Sequence, residues 1–314
     1  LQLGAGILDG CTQYNLLAPT TKHRDGMDVF VQRMLTTRLS PLRGRPVYLD
    51  IQTYDTLHVD ATENRTADLR IRGALRLHPT DARPRLDVLH RFQLTLSLIS
   101  AELHAIQPDR VVVTGGAHPS IALALGGALV STRLQRPVII EDRHGAWGVE
   151  EPDASDPHLH DLSVEDVPLP NADQSARRVA VLVGGSQTIP SLFTSFVENL
   201  AAPIRAAAYL RVTGEGWIQS SEGSRLARRL AEEIEKLARS DDGPCEILLC
   251  YALGFPLGVM IGRQLNKYSV VAYDLVNQGS EKWYRRILRL DPSDSHIAEV
   301  FDDPVEASRP GRFA

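Results

Sequence analysis

The feature that most constrains the fold is an internal repeat of a strand, a turn, a helix and a second strand. The first copy contains RVVV, TGGAHPS, a helix rich in small residues and PVIIED; the second contains EILLC, YALGFP, LGVMIGRQLN and SVVAYD. When Val111 is aligned on Ile247, Gly126 falls on Gly262, and the proline of the turn shifts by one position. Such self-similarity indicates an architecture built from repeated units.

Apolar strands that alternate with helices form parallel sheets covered on both faces. The repeat therefore predicts an α/β fold of two fused Rossmann-like halves with parallel sheets, related by a pseudo-twofold axis. Gly126 and Gly262 are expected where a helix approaches a sheet closely. Each half should have a further strand, the first within Pro46–His78 and the second from Arg177, before a helix that begins near Pro190.

Changes in composition divide the chain into five regions. The segment 150–176 is acidic and rich in proline, without sustained periodicity, which predicts a linker or long surface loop. The boundaries are an N-terminal segment at 1–45, a first half at 46–149, this linker, a second half at 177–292, and a polar tail at 293–314 that is expected to be only partly ordered.

Composition narrows the function. The 314 residues have ordinary globular composition, with 43 % hydrophobic residues and no run of about 18 apolar residues, so we expect a soluble protein without a membrane partner. A net charge of −5 argues against broad nucleic-acid binding but is compatible with a small anionic ligand. Three cysteines without paired spacing indicate a reducing cytoplasm. His158 and His160 lack a third ligand, so we expect them to be solvated rather than metal-bound.

Three turns follow strands at the edge where open α/β sheets bind ligands: Thr114–Ser120, Gly184–Gln187 and Tyr251–Pro256. Each precedes a helix N-terminus, whose N–H groups and dipole favour anions. The alternative is that glycine and proline are present only because a tight strand-to-helix turn requires them. The turns lack the lysine of a P-loop and the third glycine of a dinucleotide turn, which disfavours nucleotide hydrolysis and nicotinamide chemistry.

Aromatic and basic side chains beside these turns are candidates for stacking on bases and pairing with phosphates. The predicted ligand-binding residues are Thr114, Gly115, Gly116, His118, Ser120, Arg143, Trp147, Gly185, Ser186, Gln187, Trp217, Tyr251, Leu253, Gly254 and Phe255. No catalytic motif such as G-x-S-x-G is present. Three acids at strand ends, Glu141, Asp142 and Asp274, are candidates for an acid–base pair, or alternatively for helix caps or arginine partners.

The run YALGFPLGVMIGRQLN…SVVAYDLV…WYRRILRL and its weaker echo TGGAHPSIALALGGAL…PVIIED resemble the SAVED sensor family, relatives of CARF domains in bacterial antiphage signalling (CBASS and CRISPR systems). The resemblance extends over roughly Pro46–Pro292. It implies two CARF-like halves that bind a cyclic dinucleotide, trinucleotide or oligoadenylate in the cleft between them, and that use no cofactor. It further implies that binding drives homo-oligomerisation, which activates an attached effector.

The N-terminal segment YNLLAPTTKHRDGMDVF resembles the last part of an HNH endonuclease, with Asn15 and His23 at matching positions. The upstream catalytic His of that motif is absent, so this chain alone is not expected to cut DNA, and DNA would be contacted only by an attached effector. A plain helix from about Asp25 to Arg38 is the alternative. Two further functions stay open: an enzyme of the same architecture that degrades a cyclic oligonucleotide or acts on a small anion, and a scaffold for self-assembly.

Overall fold

The fold is taken from a computed structural model of the chain. It describes the residues 9–10, 12–13, 24–54, 67–73, 85–130, 134–142, 144–148, 160–169, 172–185, 190–214, 216–241, 243–278, 281–291 and 296–301. Asn15 and His23 lie outside these ranges, whereas residues 24–30 of the segment that resembles an HNH endonuclease are described and are helical. No helix in the described ranges is both long enough and apolar enough to cross a membrane.

The first half is built on a five-stranded sheet. Its elements are β1 (Asp9–Gly10), β2 (Thr12–Gln13), α1 (Arg24–Leu39), a 3₁₀ turn (Ser40–Leu42), β3 (Val47–Gln52), β4 (Leu69–Arg72), α2 (Leu86–Ile106), β5 (Val111–Gly116), α3 (Pro119–Ala128), β6 (Val138–Asp142) and β7 (Gly145–Trp147). The sheet order is β4-β3-β5-β6-β7, with only β7 antiparallel to its neighbour. Helix α1 confirms the predicted N-terminal helix and packs against α2.

The second half is built on a seven-stranded sheet. Its elements are β8 (His160–Asp166), β9 (Arg178–Gly184), α4 (Pro190–Glu198), β10 (Ala206–Gly214), α5 (Ser220–Ala238), β11 (Glu246–Tyr251), α6 (Phe255–Gln264), β12 (Val270–Gln278), β13 (Glu281–Asp291) and β14 (His296–Val300). The sheet order is β14-β13-β12-β11-β9-β10-β8. The four inner strands β12, β11, β9 and β10 are parallel, and the outer strands are antiparallel.

The parallel parts of the two sheets have the same order. In both, the second strand lies at one side of the first, and the third and fourth follow on the other side: β4-β3-β5-β6 and β10-β9-β11-β12. One apolar core runs through both halves and includes residues of α2, α3, α5 and α6. The predicted α/β class with two fused halves is therefore confirmed, whereas the pseudo-twofold axis stays a prediction.

Helices α3 and α6 pack against each other through glycine. A Cβ on Gly126 would overlap the carbonyl oxygen of Val259, and a Cβ on Gly262 would overlap the carbonyl oxygen of Leu123. These two contacts are equivalent when the repeats are aligned. The expectation that the two glycines lie between helix and sheet is therefore wrong. They lie between two helices, because both repeats bury the same small-residue face and only an absent side chain lets the backbones approach.

The direction of the two helices follows from a second contact between equivalent positions. A Cβ on Gly258, near the start of α6, would lie 2.9 Å from the Cβ of Ala122, near the start of α3. Contacts at this level and at Gly126 and Gly262 require the helices to run in the same direction. Both N-termini, and the turns that precede them, therefore lie at the same end of the helix pair.

A buried polar contact also joins the halves at this end. The backbone N–H of Ser120 donates to Oδ1 of Asp274 at 3.0 Å, and its hydroxyl donates to Oδ2 at 2.9 Å. Ser120 is in the first turn of α3 and Asp274 is in β12, and both are buried. The carboxylate thus neutralises the helix N-terminus of the other half.

Short antiparallel strands complete the interface. Strand β7 packs against α5, and β14 packs against α2, so each sheet reaches a helix of the opposite half. Trp147 at the end of β7 lies against Gly223 of α5, where a Cβ would overlap its ring.

Two regions differ from their predictions. The segment 150–176 was expected to be a linker, but residues 160–166 form β8, whose partner is β10. Its acidic, outward side chains look like a loop in sequence, although they are typical of an edge strand. The tail 293–314 includes β14, an edge strand paired with β13.

His160 differs from its prediction too, because it is buried and not solvated. Its backbone N–H donates to Glu222 Oε1 at 3.0 Å, and its Nδ1 lies 2.8 Å from Glu222 Oε2. Burial raises the pKa of Glu222, but the hydrogen bonds from His160, together with the nearby positive charge that includes Arg225, hold that pKa below its usual value. His160 thus anchors β8 to α5, and His158 lies outside the described residues.

The glycine contact predicts that Gly126→Ala and Gly262→Ala each lower the free energy of unfolding by about 1–3 kcal/mol, since the new methyl group forces the helices apart. Gly127→Ala is the matched control, because its Cβ would have only Leu290 Cδ1 nearby, at 3.9 Å. That variant should be neutral or more stable by up to about 1 kcal/mol through helix propensity. Urea denaturation measures all three, and equal stability of the 126 and 127 variants would contradict the packing.

The contact between Ser120 and Asp274 predicts that Ser120→Ala lowers the free energy of unfolding by about 1.5–3 kcal/mol, which is the range for a hydrogen bond to a charged group. A double-mutant cycle with Asp274→Asn should show coupling, because both changes remove the same pair. Ser97→Ala is the control, since the Ser97 hydroxyl donates only to a carbonyl within its own helix. Additive effects in the cycle would show that the contact contributes nothing to stability.

Candidate ligand cleft between the two halves

The three predicted turns converge at one edge of the molecule. The parallel direction of α3 and α6 brings the turns at 114–120 and 251–256 to the same end, as described above. The third turn joins them in the second sheet, where a Cβ on Gly185 would lie 3.6 Å from Leu253 Cδ2. Ser186 and Gln187 of that turn lie outside the described residues. The turns of both halves therefore face one edge, and we refer to this candidate site as the cleft, with a first wall from the first half and a second wall from the second half.

Backbone packing at the end of β5 explains the glycines of the first wall. Thr114 is buried and its hydroxyl donates to the carbonyl of Leu49 at 3.4 Å. Gly115 has a φ of +105°, and a Cβ there would overlap the carbonyl oxygen of Ile51. Gly116, the last residue of the strand, is half-buried. Thr114 and Gly115 therefore shape the turn, and Thr114 has little surface for a ligand.

His118 is held by the neighbouring strand end. Its backbone N–H donates to Thr53 Oγ1 at 2.8 Å, and its Nδ1 lies 2.8 Å from the same oxygen. The ring also stacks on Tyr54, with centroids 4.4 Å apart.

Helix α3 does not offer its N-terminus to a ligand. Pro119 has no N–H, His118 donates to Thr53, and Ser120 gives both its donors to Asp274. Ser120 is also completely buried. The expectation that Ser120 binds ligand is thus corrected, because an internal carboxylate fills the anion position that the turn creates.

Helix α6 forms a different wall. Its N-cap is Gly254, it has no side-chain cap, and its first turn has no acid. Gly254 is exposed and its neighbours Leu253 and Phe255 are half-buried. Pro256 occupies the position equivalent to Ser120, so the shift of the proline by one residue removes the donors that would bind an internal carboxylate. This N-terminus favours anions and is not neutralised by a side chain of the described chain.

Two predicted aromatic residues are buried. Tyr251 donates its hydroxyl to the carbonyl of Gly254 at 2.8 Å, and burial raises its pKa well above the usual value. Trp147 donates Nε1–H to Asp142 at 2.9 Å and packs against α5. Neither ring presents a face for stacking on a ligand. Burial was not evident in the sequence, because both residues stand at strand ends, where the chain was expected to reach the surface.

Trp217 is the exposed aromatic residue of the predicted set. Its side chain is 68 % exposed, and its ring stacks on His144 with centroids 5.4 Å apart. It follows the carboxyl end of β10 and precedes α5. Arg143, next to His144, lies outside the described residues.

Two arginines at this edge escaped the sequence analysis. Arg72 pairs in register with Gln52, and Arg211 pairs with Gly184. Gln52 and Gly184 end the equivalent strands β3 and β9, so the two arginines occupy equivalent positions. Their guanidinium nitrogens lie 3.6 and 3.9 Å from carboxylate oxygens, and both side chains are partly exposed. The alternating pattern LRIR at β4 could have indicated Arg72, but its sheet position required the structure.

The candidate acids have structural partners. Asp142 accepts hydrogen bonds from the backbone of His144 and from Trp147, while Asp274 accepts two from Ser120. The alternative that these acids bond helix starts and turns therefore applies to both. No group of three or more His, Cys, Asp or Glu suited to a metal ion occurs among the described residues.

The solved structures that are similar to this chain include receptors from Acinetobacter baumannii. The Cap4 SAVED/CARF-domain receptor with the cyclic trinucleotide 3′3′3′-cAAA has a TM-score of 0.55 and 14 % identity, and the match covers 84 % of this chain and 56 % of the receptor. The same receptor with 2′3′3′-cAAA has a TM-score of 0.52 and 14 % identity, and the match covers 84 % of this chain and 56 % of the receptor. A structure of the receptor that is named without a ligand has a TM-score of 0.51 and 16 % identity, and the match covers 85 % of this chain and 55 % of the receptor. The chain thus spans just over half the length of these receptors.

Among curated proteins, the chain finds no match. A family model does match, over residues 95–290, and it is described as the SMODS-associated and fused to various effectors sensor domain, abbreviated SAVED. The match covers well over half of the chain and includes α3, α6 and all three turns of the cleft. The chain belongs to the SAVED family of sensor domains.

Proposed function

We propose that this protein is a sensor that binds a cyclic dinucleotide or trinucleotide in the cleft between its halves. The observation that carries the proposal is the parallel packing of α3 and α6, which brings two strand-to-helix turns to one edge. Membership of a sensor family supports it, as does the shared fold with receptors whose names include a cyclic trinucleotide.

The chemistry of the second wall suits a phosphate. The backbone N–H groups of Gly254, which is exposed, and Phe255, which is half-buried, are the candidate donors to an anion at the start of α6, and the helix dipole adds to them. Arg72 and Arg211 add positive charge at the ends of equivalent strands, which meets the objection raised by the negative net charge. The proposed ligand contacts on this wall are Gly185, Leu253, Gly254 and Phe255. Arg143, Ser186 and Gln187 are also proposed contacts, although they lie outside the described residues.

We extend the proposal to signalling. Ligand binding across the cleft would order both halves against each other, and the resulting surface would support homo-oligomerisation that activates an attached effector, such as a DNA endonuclease, in antiphage defence. The ligand is the primary partner, and DNA would be contacted only by the effector. The proposed location is the cytoplasm.

Degradation of a cyclic oligonucleotide has weaker support. Asp142 and Asp274, two of the three candidate acids, are engaged in hydrogen bonds within the chain. These contacts give both carboxylates a structural role that accounts for their burial or position without a catalytic one.

Binding is tested by isothermal titration calorimetry with 3′3′3′-cAAA, 2′3′3′-cAAA and a cyclic dinucleotide. We expect at least one to bind, with affinity that falls as salt rises because phosphates are neutralised. Linear triadenylate is the control and should bind more weakly, since it is not preorganised. Light scattering reports oligomerisation, and chromatography of the recovered ligand separates sensing from degradation. Absence of heat and of thermal stabilisation with every compound would overturn the proposal.

The phosphate site is tested by removing one backbone donor. Gly254 has a φ of −65°, which proline adopts, so Gly254→Pro removes the N–H with little backbone change. Gly254→Ala keeps the N–H and is the matched control. A hydrogen bond to a charged group contributes about 1.5–3 kcal/mol, so the proline variant should bind roughly 10- to 150-fold more weakly. Equal affinities of the two variants, with intact thermal unfolding, would exclude this N-terminus as a phosphate site.

A further inference from the structure

Tyr54 is an exposed aromatic residue at the first wall of the cleft that the sequence patterns do not single out. It lies two residues beyond the end of β3, directly after the fully buried Thr53. Its side chain is 42 % exposed, which makes it one of three large hydrophobic residues exposed in the described part of the chain, with Val164 and Trp217. The core of the first half does not require a tyrosine at this position.

The ring of Tyr54 is held in place from three sides. Its hydroxyl donates to the carbonyl of Ala117 at 3.1 Å, and its face stacks on His118 at an interplanar angle of 29°. One edge of the ring also approaches Gly116, where a Cβ would be 3.7 Å from Cδ2 and 3.8 Å from Cε2. An exposed ring that is already fixed loses little side-chain entropy when a flat ligand group stacks on it.

The helix N-terminus at this wall favours a neutral group over a phosphate. Asp274 fills the N-terminus of α3, while Asp50 beside Gly115 is paired with Arg70 and Arg72 at 3.9 and 3.6 Å. The anion position of this turn is therefore occupied by a carboxylate of the chain itself, whereas an aromatic face accepts any nucleobase. The first wall and the second wall therefore have complementary chemistry.

We propose that Tyr54 stacks on a nucleobase of the cyclic oligonucleotide, with His118 as a positioning residue that supports the ring from behind. This inference rests on the proposed function and assigns a different part of the ligand to each wall. The wall formed by the first half binds a base, and the start of α6 binds a phosphate.

The test uses 3′3′3′-cAAA in which one adenine is replaced by 2-aminopurine, whose fluorescence is quenched by stacking. The wild-type protein should quench it. Tyr54→Leu should abolish the quenching and weaken binding about 5- to 150-fold, the range for one base stacked on an aromatic side chain. Tyr54→Phe should keep the quenching, because the ring remains. His118→Ala should weaken binding less than Tyr54→Leu and reduce the quenching, because the ring loses its support.

Trp217→Leu is the control, since it removes the other exposed aromatic ring at this edge. Quenching that survives in Tyr54→Leu but is lost in Trp217→Leu would overturn the inference and assign the stacking to Trp217. If Tyr54→Leu binds and quenches like the wild type, the inference also fails while the sensor function stands. If the wild-type protein binds neither the probe nor the unlabelled compounds, the proposed function itself fails. Circular dichroism and thermal unfolding establish that each variant is folded.

Discussion

The close packing of α3 on α6 determines how the two halves, and the turns that form the candidate cleft, are arranged. At both Gly126 and Gly262, a carbonyl group of the facing helix lies where a side chain would otherwise be. Such an approach leaves no freedom to slide, because any Cβ at either position would overlap backbone. The parallel direction that results brings the carboxyl edges of both sheets to one end of the molecule. The cleft is thus a consequence of how two helices pack, and its walls follow from what each repeat places at its turn.

The two walls are formed by equivalent positions of the repeat, but their side chains differ in chemistry. In the first repeat Ser120 gives two hydrogen bonds to Asp274 of the other half, so the helix N-terminus is closed by an internal anion. In the second repeat proline stands at the corresponding position and cannot form this pair, so the N-terminus of α6 keeps its preference for an anion. A shift of proline by one residue thus separates a structural contact from a candidate binding site.

The negative net charge is compatible with an anionic ligand because charge acts locally. Arg72 and Arg211 stand at equivalent ends of the second strands, and both are only weakly paired and partly exposed, where ion pairs contribute little. A polyanion would exchange these weak partners for phosphate oxygens. Aromatic faces at Tyr54 and Trp217 add contacts that do not depend on charge, as is expected for a ligand made of both bases and phosphates.

Much of the fold was predictable from local patterns. The apolar strands at 111–116, 178–184 and 246–251, and the helices that follow them, are evident because buried parallel strands are continuously hydrophobic. The strands β8 and β14 were missed, because acidic or polar edge strands resemble loops until a partner strand is known. For the cleft, the turns were identified correctly as features of one edge, and yet Tyr251 and Trp147 proved to be buried, while Tyr54 and Arg72 were overlooked.

By itself, the sequence determined the repeat, the α/β class and the resemblance to a sensor family, since all three depend on residues close together in the chain. Tertiary structure alone decided that Asp274 occupies the start of α3, that Tyr54 approaches Gly116, and that the two glycines pack a helix against a helix and not against a sheet. These contacts join residues far apart in the chain. Their energy comes from close approach and burial, which no local pattern encodes.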